Sequence, residues 1–145
     1  MKIKFKFFGL LVTICLIICC VFAGCLSSPD YEEIYNDDTK IARSSSNKRI
    51  GSVETSSDEN YKFSCSSLSG VYVMINSFTV NENTSANLTL EVTGGKCKVV
   101  LVKGDSVYTV CEGSYDGAVN LGYPDGKYKL KIVGVEAEFT LSLTY

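Results

Sequence analysis

The sequence predicts an all-β fold: a small antiparallel β-sandwich of seven or eight strands over residues 61–145. Three observations carry that expectation. From Tyr61 onward apolar and polar residues alternate with the period of two expected of strands. Glycine-bearing turns punctuate the alternation, and seven or eight short strands in roughly 85 residues suit two sheets packed face to face. No segment of this region carries a sustained helical period.

Taken in order, the strands are expected near 61–66, 71–80, 86–93, 96–103, 106–112, 117–121, 127–133 and 136–144. Gly94-Gly95 suits a two-residue type I′ hairpin. That register sets Val92 against Cys97, Leu90 against Val99 and Leu88 against Leu101, with Glu91 facing Lys98 on the other side. Gly134-Val135 suits a type II′ turn, which would oppose Ile132 with Ala137, Leu130 with Phe139 and Tyr128 with Leu141. Lys131 would then meet Glu138 on the solvent face, in one row with Lys127 and Lys129. Pro124-Asp125-Gly126 supplies a further turn before the strand that begins near Lys127.

The residues before the domain read differently. Lys2, Lys4 and Lys6 open the chain, and no charge follows from Phe7 until Asp30. A basic start followed by an apolar run is the layout of an export signal. The run ends in Val21-Phe22-Ala23-Gly24-Cys25, which resembles the lipobox of bacterial lipoproteins. Ala23, Gly24 and Cys25 match that motif, and Phe22 stands where it prefers leucine. The resemblance implies cleavage before Cys25, a diacylglycerol thioether on its sulfur, and a mature chain held by lipid on the outer face of a membrane. An uncleaved helix is the alternative, because about 20 apolar residues suffice to cross a bilayer. Residues 1–24 are thus expected as signal peptide and 25–60 as a lipid-anchored, polar, flexible linker.

That linker expectation rests on composition. Residues 26–60 hold eight serines and twelve charged residues, too little apolar surface to offset the entropy of ordering. Such a coil would reach on the order of 30 Å. Within it, Ser28-Pro29-Asp30 looks like a helix start, and Tyr31, Ile34, Tyr35, Asp38 and Ile41 recur at helical spacing, so a short helix over about 29–42 is the competing expectation.

A second resemblance lies at the other end. Asp125-Gly126-Lys127-Tyr128-Lys129-Leu130-Lys131-Ile132, with Phe139-Thr140-Leu141, is similar to the final hairpin of pre-peptidase C-terminal type β-sandwiches. Those accessory domains of secreted proteins imply a binding or structural role and no catalytic residue.

Charge and composition narrow the function. The chain has 14 basic and 16 acidic residues. Removing the three leader lysines leaves 11 against 16, a net of −5, which argues against nucleic acid as a partner. With no histidine anywhere, the usual activator of serine, threonine or cysteine nucleophiles is missing, and no catalytic residue is expected. No cofactor motif is present, and without histidine or a Cys-x-x-Cys pair no metal site is expected.

The three domain cysteines are Cys65, Cys97 and Cys111. Cys97 and Cys111 flank a turn at Lys103–Ser106. A three-residue loop would set them opposite each other for a disulfide, and a two-residue loop would place them on opposite faces. Tyr115 and Tyr123 lie beside turns and are the candidates for an exposed contact surface. The expected role is a membrane-anchored, extracytoplasmic binding or structural module, with an envelope protein or a glycan as ligand; the alternatives are a subunit of a larger envelope complex and a histidine-free envelope enzyme.

Overall fold

The computed structural model describes residues 29–121 and 123–145. The lipobox, Cys25 and the apolar run before it lie outside the described residues. Two helical turns, α1 (Tyr31–Asn36) and α2 (Asp38–Arg43), precede six strands: β1 (Asn47–Ser56), β2 (Asn60–Val80), β3 (Ser85–Lys103), β4 (Ser106–Glu112), β5 (Tyr115–Asn120) and β6 (Gly126–Thr144). All six belong to one antiparallel sheet in the order β1-β2-β6-β3-β4, and β5 lies beside β4 along the free edge of β3. The all-β expectation therefore holds. The two hydrogen-bonded sheets of a sandwich are replaced by a single sheet.

That sheet is bent sharply across its middle. Strands β2, β3 and β6 run for 21, 19 and 19 residues, too long to lie straight in a domain of this size at about 3.3 Å per residue. Phe63 and Tyr72 are both on β2 and would stand about 30 Å apart in a straight strand. Their ring centroids are 5.1 Å apart. The register shifts at Cys65–Gly70 of β2 and Val92–Lys96 of β3 mark the fold line, and Gly70↔Gly134, Lys96↔Val135 and Gly94↔Glu138 align there. Three of the residues at this line have positive φ: Gly70 at 103°, Gly95 at 66° and Glu136 at 49°.

Neither expected glycine hairpin forms. Residues 86–93 and 96–103 are one strand, as are 127–133 and 136–144. The physical reason lies in the geometry of facing. Val92 and Cys97 are five residues apart, as are Ile132 and Ala137, and a regular strand would put each pair on opposite faces. A left-handed residue between them, Gly95 or Glu136, turns the strand so that both members face the interior. A two-residue hairpin produces the same inward pairing. The alternation therefore reads identically for a hairpin and for a strand bent back over its own core. Residues 126–132 and 139–141, which carry most of the resemblance to accessory β-sandwiches, accordingly lie on one strand and not on two.

The concave sides of the two arms share one core. Tyr61, Phe63, Leu88, Leu90, Phe139 and Leu141 come from one arm, and Phe78, Val99, Leu101, Tyr128, Leu130 and Ile132 from the other. Phe78, near one end of β2, packs edge-on against Tyr145 at the far end of the chain, with centroids 5.1 Å apart.

The flexible linker expected over 25–60 is corrected for residues 31–56. Asp30 caps α1 by accepting from the Glu33 amide at 3.1 Å, and Asp37 caps α2 by accepting from the Lys40 amide at 3.1 Å. The helical spacing seen in the sequence is therefore used, though in two capped turns. Turns this short are not stable alone. Tyr35 and Ile41 supply what they lack by packing on Val71, Val100, Val102 and Val133, the outward side of the second arm. β1 uses no such burial: its side chains are exposed apart from half-buried Asn47, and it is held by the ladder to β2. Glu54 reinforces that ladder, accepting from Tyr61 Oη at 2.6 Å on Oε1 and from Tyr72 Oη on Oε2, while the Arg49 guanidinium lies 4.0 Å from the Tyr72 ring centroid.

Candidate binding surface

Burial on one side leaves the other side free. The outward face of the second arm is covered by α1 and α2, whereas the outward face of the first arm has nothing packed on it among the described residues. Its rows can be traced across the ladders. Val53, Ser64, Thr140 and Glu91 stand side by side across β1, β2, β6 and β3. Thr55, Lys62, Ser142, Thr89 and Asp116 form the next row, which extends to β5. Asn60, Thr144, Asn87 and Ala118 form the third. Strands stand about 4.8 Å apart, so these positions form a regular lattice of short polar side chains.

Thr89 donates to Asp116 Oδ1 at 2.8 Å, and Thr144 donates to Asn60 Oδ1 at 2.9 Å. Two shallow depressions lie where the face crosses β1, β2 and β6. One of about 240 Å³ has Ser64, Ser66, Thr93 and Thr140 around Glu91 and Glu138. The other, about 390 Å³, lies between Val53, Lys62 and Ser142. No group of three or more potential metal ligands occurs among the described residues.

The two tyrosines expected to form a contact surface are not brought together. Tyr115 pairs with Leu90 across the β3–β5 ladder, is half-buried, and donates its hydroxyl to the Ala118 carbonyl at 2.9 Å. Tyr123 is half-buried against Tyr108, with centroids 4.7 Å apart. Tyr128, opposite Phe78 in the ladder, is fully buried at 1% exposure.

Of the two alternatives left open for Cys97 and Cys111, a bridge or buried thiols, the structure has the second: Cys65, Cys97 and Cys111 are free and buried. The turn is the two-residue one, with Lys103 opposite Ser106, but a register shift beyond Val100 sets Cys111 opposite Val99. Cys111 and Cys97 thus share a face as diagonal neighbours, a relation neither expected register contained. Burial pushes the Cys111 thiol up to about 11, and burial with the nearby Cys111 and Cys65 also raises Cys97. Thiols so raised stay protonated and unreactive at neutral pH.

The lysine row of β6 is also rearranged. Lys127 and Lys129 are exposed, but Lys131 is 2% exposed beneath α2. Its ammonium donates to the Ile41, Ala42 and Ser44 carbonyls at 2.8, 2.8 and 2.9 Å. It caps the α2 C-terminus, where a cation suits the helix dipole, and it opposes Val73 and Val100 instead of Glu138. The sequence carried no sign of this, because the partners are main-chain atoms of a segment that read as linker.

Burial, with a smaller contribution from Lys129, pushes Lys131 down to about 8. A depressed amine lets the unfolded chain bind more protons between its two pKa values, so its contribution to stability rises with pH from about 8 toward 10.5. Urea unfolding of the wild type and Lys131→Met at pH 7 and 9.5 isolates this. The difference should move by about 2 kcal/mol in favour of the wild type at the higher pH. An unchanged difference would mean that the ammonium is not destabilised there.

No protein-family model matches the chain, and no curated protein or solved structure is significantly similar to it.

Proposed function

We propose that this chain is a lipid-anchored extracytoplasmic protein whose bent β-sheet presents its hydroxyl-rich face to a neutral glycan of the cell envelope. Lipid on Cys25 leaves only Leu26, Ser27 and Ser28 between the anchor and the first described residue, Pro29. At about 3.5 Å per residue that leash is shorter than 20 Å, so the side bearing α1 faces the bilayer. The uncovered first-arm face, on the opposite side of the bend, then points into the envelope.

The observation that carries the ligand class is the lattice itself. Ser64, Thr140, Ser142 and Thr89 offer hydroxyls on adjacent strands, groups that donate and accept equally and so match sugar hydroxyls. Glu91, Glu138 and Asp116 outnumber Lys62 on this face, which disfavours polyanions such as nucleic acid or teichoic polymers. Absence of histidine from the whole chain favours binding over acid–base or nucleophilic chemistry.

Co-sedimentation of the full chain with purified insoluble cell-wall glycan tests this reading. The wild type should pellet with the glycan, and Thr140→Arg, on an exposed position at the centre of the face, should lower the bound fraction about tenfold. Equal pelleting of both proteins would remove the face from the account, and no pelleting of the wild type would remove the glycan.

A further inference from the structure

We infer that the chain has a second, separate site beside residues 81–84, the turn that carries it from the second arm to the first, and that this site takes a neutral sugar residue bearing an acetamido group. A cavity of about 590 Å³ lies there, within the roughly 300–1,000 Å³ that small ligands fill. None of its lining residues belongs to the rows of the first-arm face.

The apolar walls come from an irregular stretch of β2 and from the end of β6. Between Val73, opposite Lys131, and Phe78, opposite Tyr128, β2 advances five positions while β6 advances three. Bulges of this kind re-aim side chains, and Ile75 and Phe78 both line the cavity. Tyr145 forms the third apolar wall. Its ring plane stands at 77° to that of Phe78, so Phe78 covers at most one of its faces, and 39% of the residue is exposed. The face of an aromatic ring is its negative part, and the C–H bonds along one side of a pyranose are the complement.

The rim supplies amides. The backbone amide of Asn81 donates to Thr84 Oγ1 at 2.8 Å, and that of Asn83 donates to Asn81 Oδ1 at 3.0 Å. The turn is thus fixed by main-chain donors. Asn81 Nδ2 and the whole side-chain amide of Asn83 are left without a partner among the described residues. Free amides beside apolar walls match a ligand group that is itself part amide and part hydrocarbon. An acetamido substituent has one N–H donor, one carbonyl acceptor and a methyl group. Ser77, Thr79 and Ser85 add hydroxyls for those of the sugar ring. No lining side chain carries a charge, so an ionic ligand would lose hydration there without gaining a counter-charge. The site stands on this lining alone; that its sugar belongs to an envelope glycan rests on the reading given under the proposed function.

Equilibrium dialysis of the full chain in detergent micelles tests the site, with the β-1,4-linked trimer of N-acetylglucosamine against the glucose trimer of the same linkage. Saturable binding of the acetylated trimer, at least tenfold tighter than that of the glucose trimer, is expected. Tyr145→Ala should weaken it at least tenfold. Asn83→Ala keeps the main-chain bonds of the turn and should weaken it about fivefold, within the range of one hydrogen bond. Both variants should keep the far-ultraviolet spectrum of the wild type. No saturable binding of the acetylated trimer, equal affinity for the two trimers, or undiminished binding by either variant overturns the inference. Pelleting of the wild type and Thr140→Arg with insoluble glycan reports on the first-arm face separately, so failure of that reading and failure of this site are distinguishable.

Discussion

Replacing Gly95 by alanine should cost about 3 kcal/mol or more, a large share of the stability of a domain this size. Gly95 has φ 66°, where a Cβ is strained by about 1–2 kcal/mol. A Cβ there would also stand 2.3 Å from the Val135 carbonyl oxygen and 2.4 Å from that of Glu136. These are backbone atoms of the neighbouring strand at the fold line, and they cannot rotate away as a side chain would. Gly104 is the control. Its φ is 62°, but nothing lies within 4 Å of an added Cβ, so Gly104→Ala should lose only the conformational term of about 1–2 kcal/mol. Urea denaturation of both variants measures the contrast. Were Gly95 at the tip of a hairpin, the two substitutions would cost the same, so equal losses would refute the bend.

The same glycine shows how far the sequence could be read. The strand content, the inward set of apolar residues and the extent of β4 follow from period-two alternation, which depends only on local facing. What joins one strand segment to the next is not local. Val92 and Cys97 face inward whether Gly94-Gly95 is a hairpin tip or a point of bending, because both geometries reverse facing over an odd separation. Only the arrival of β6 alongside β3, from some forty residues away in the chain, decides between them. The helical turns suffered from the opposite weakness. Tyr35 and Ile41 were visible as apolar spacing behind a helix start at Ser28-Pro29-Asp30, whereas the caps formed are Asp30 and Asp37; stability comes from valines of β2, β3 and β6, and composition alone made the segment look like linker. The binding face was legible residue by residue as the polar half of each alternation. It became one surface only once the strand order placed Thr140 between Ser64 and Glu91.

The functional account turns on Cys25. A single fatty chain gives marginal membrane binding, and two or more give stable anchoring, since each buried methylene contributes about 0.8 kcal/mol. A diacylglycerol thioether is a two-chain anchor. Cys25→Ala should therefore remove lipid and cleavage together, leaving residues 7–26 as an uncleaved apolar segment on a full-length chain. On the proposed reading, the short leash would fix which side of the domain meets the bilayer, and so which face is free to bind.

The most direct measurement is the intact mass of the protein extracted from membranes, taken beside Cys25→Ala. A chain beginning at Cys25 and heavier by a diacylglycerol group, with that species missing from the variant, is the predicted result. An unmodified chain beginning at Met1 in both proteins would contradict the lipid anchor, and with it the orientation proposed for the binding face.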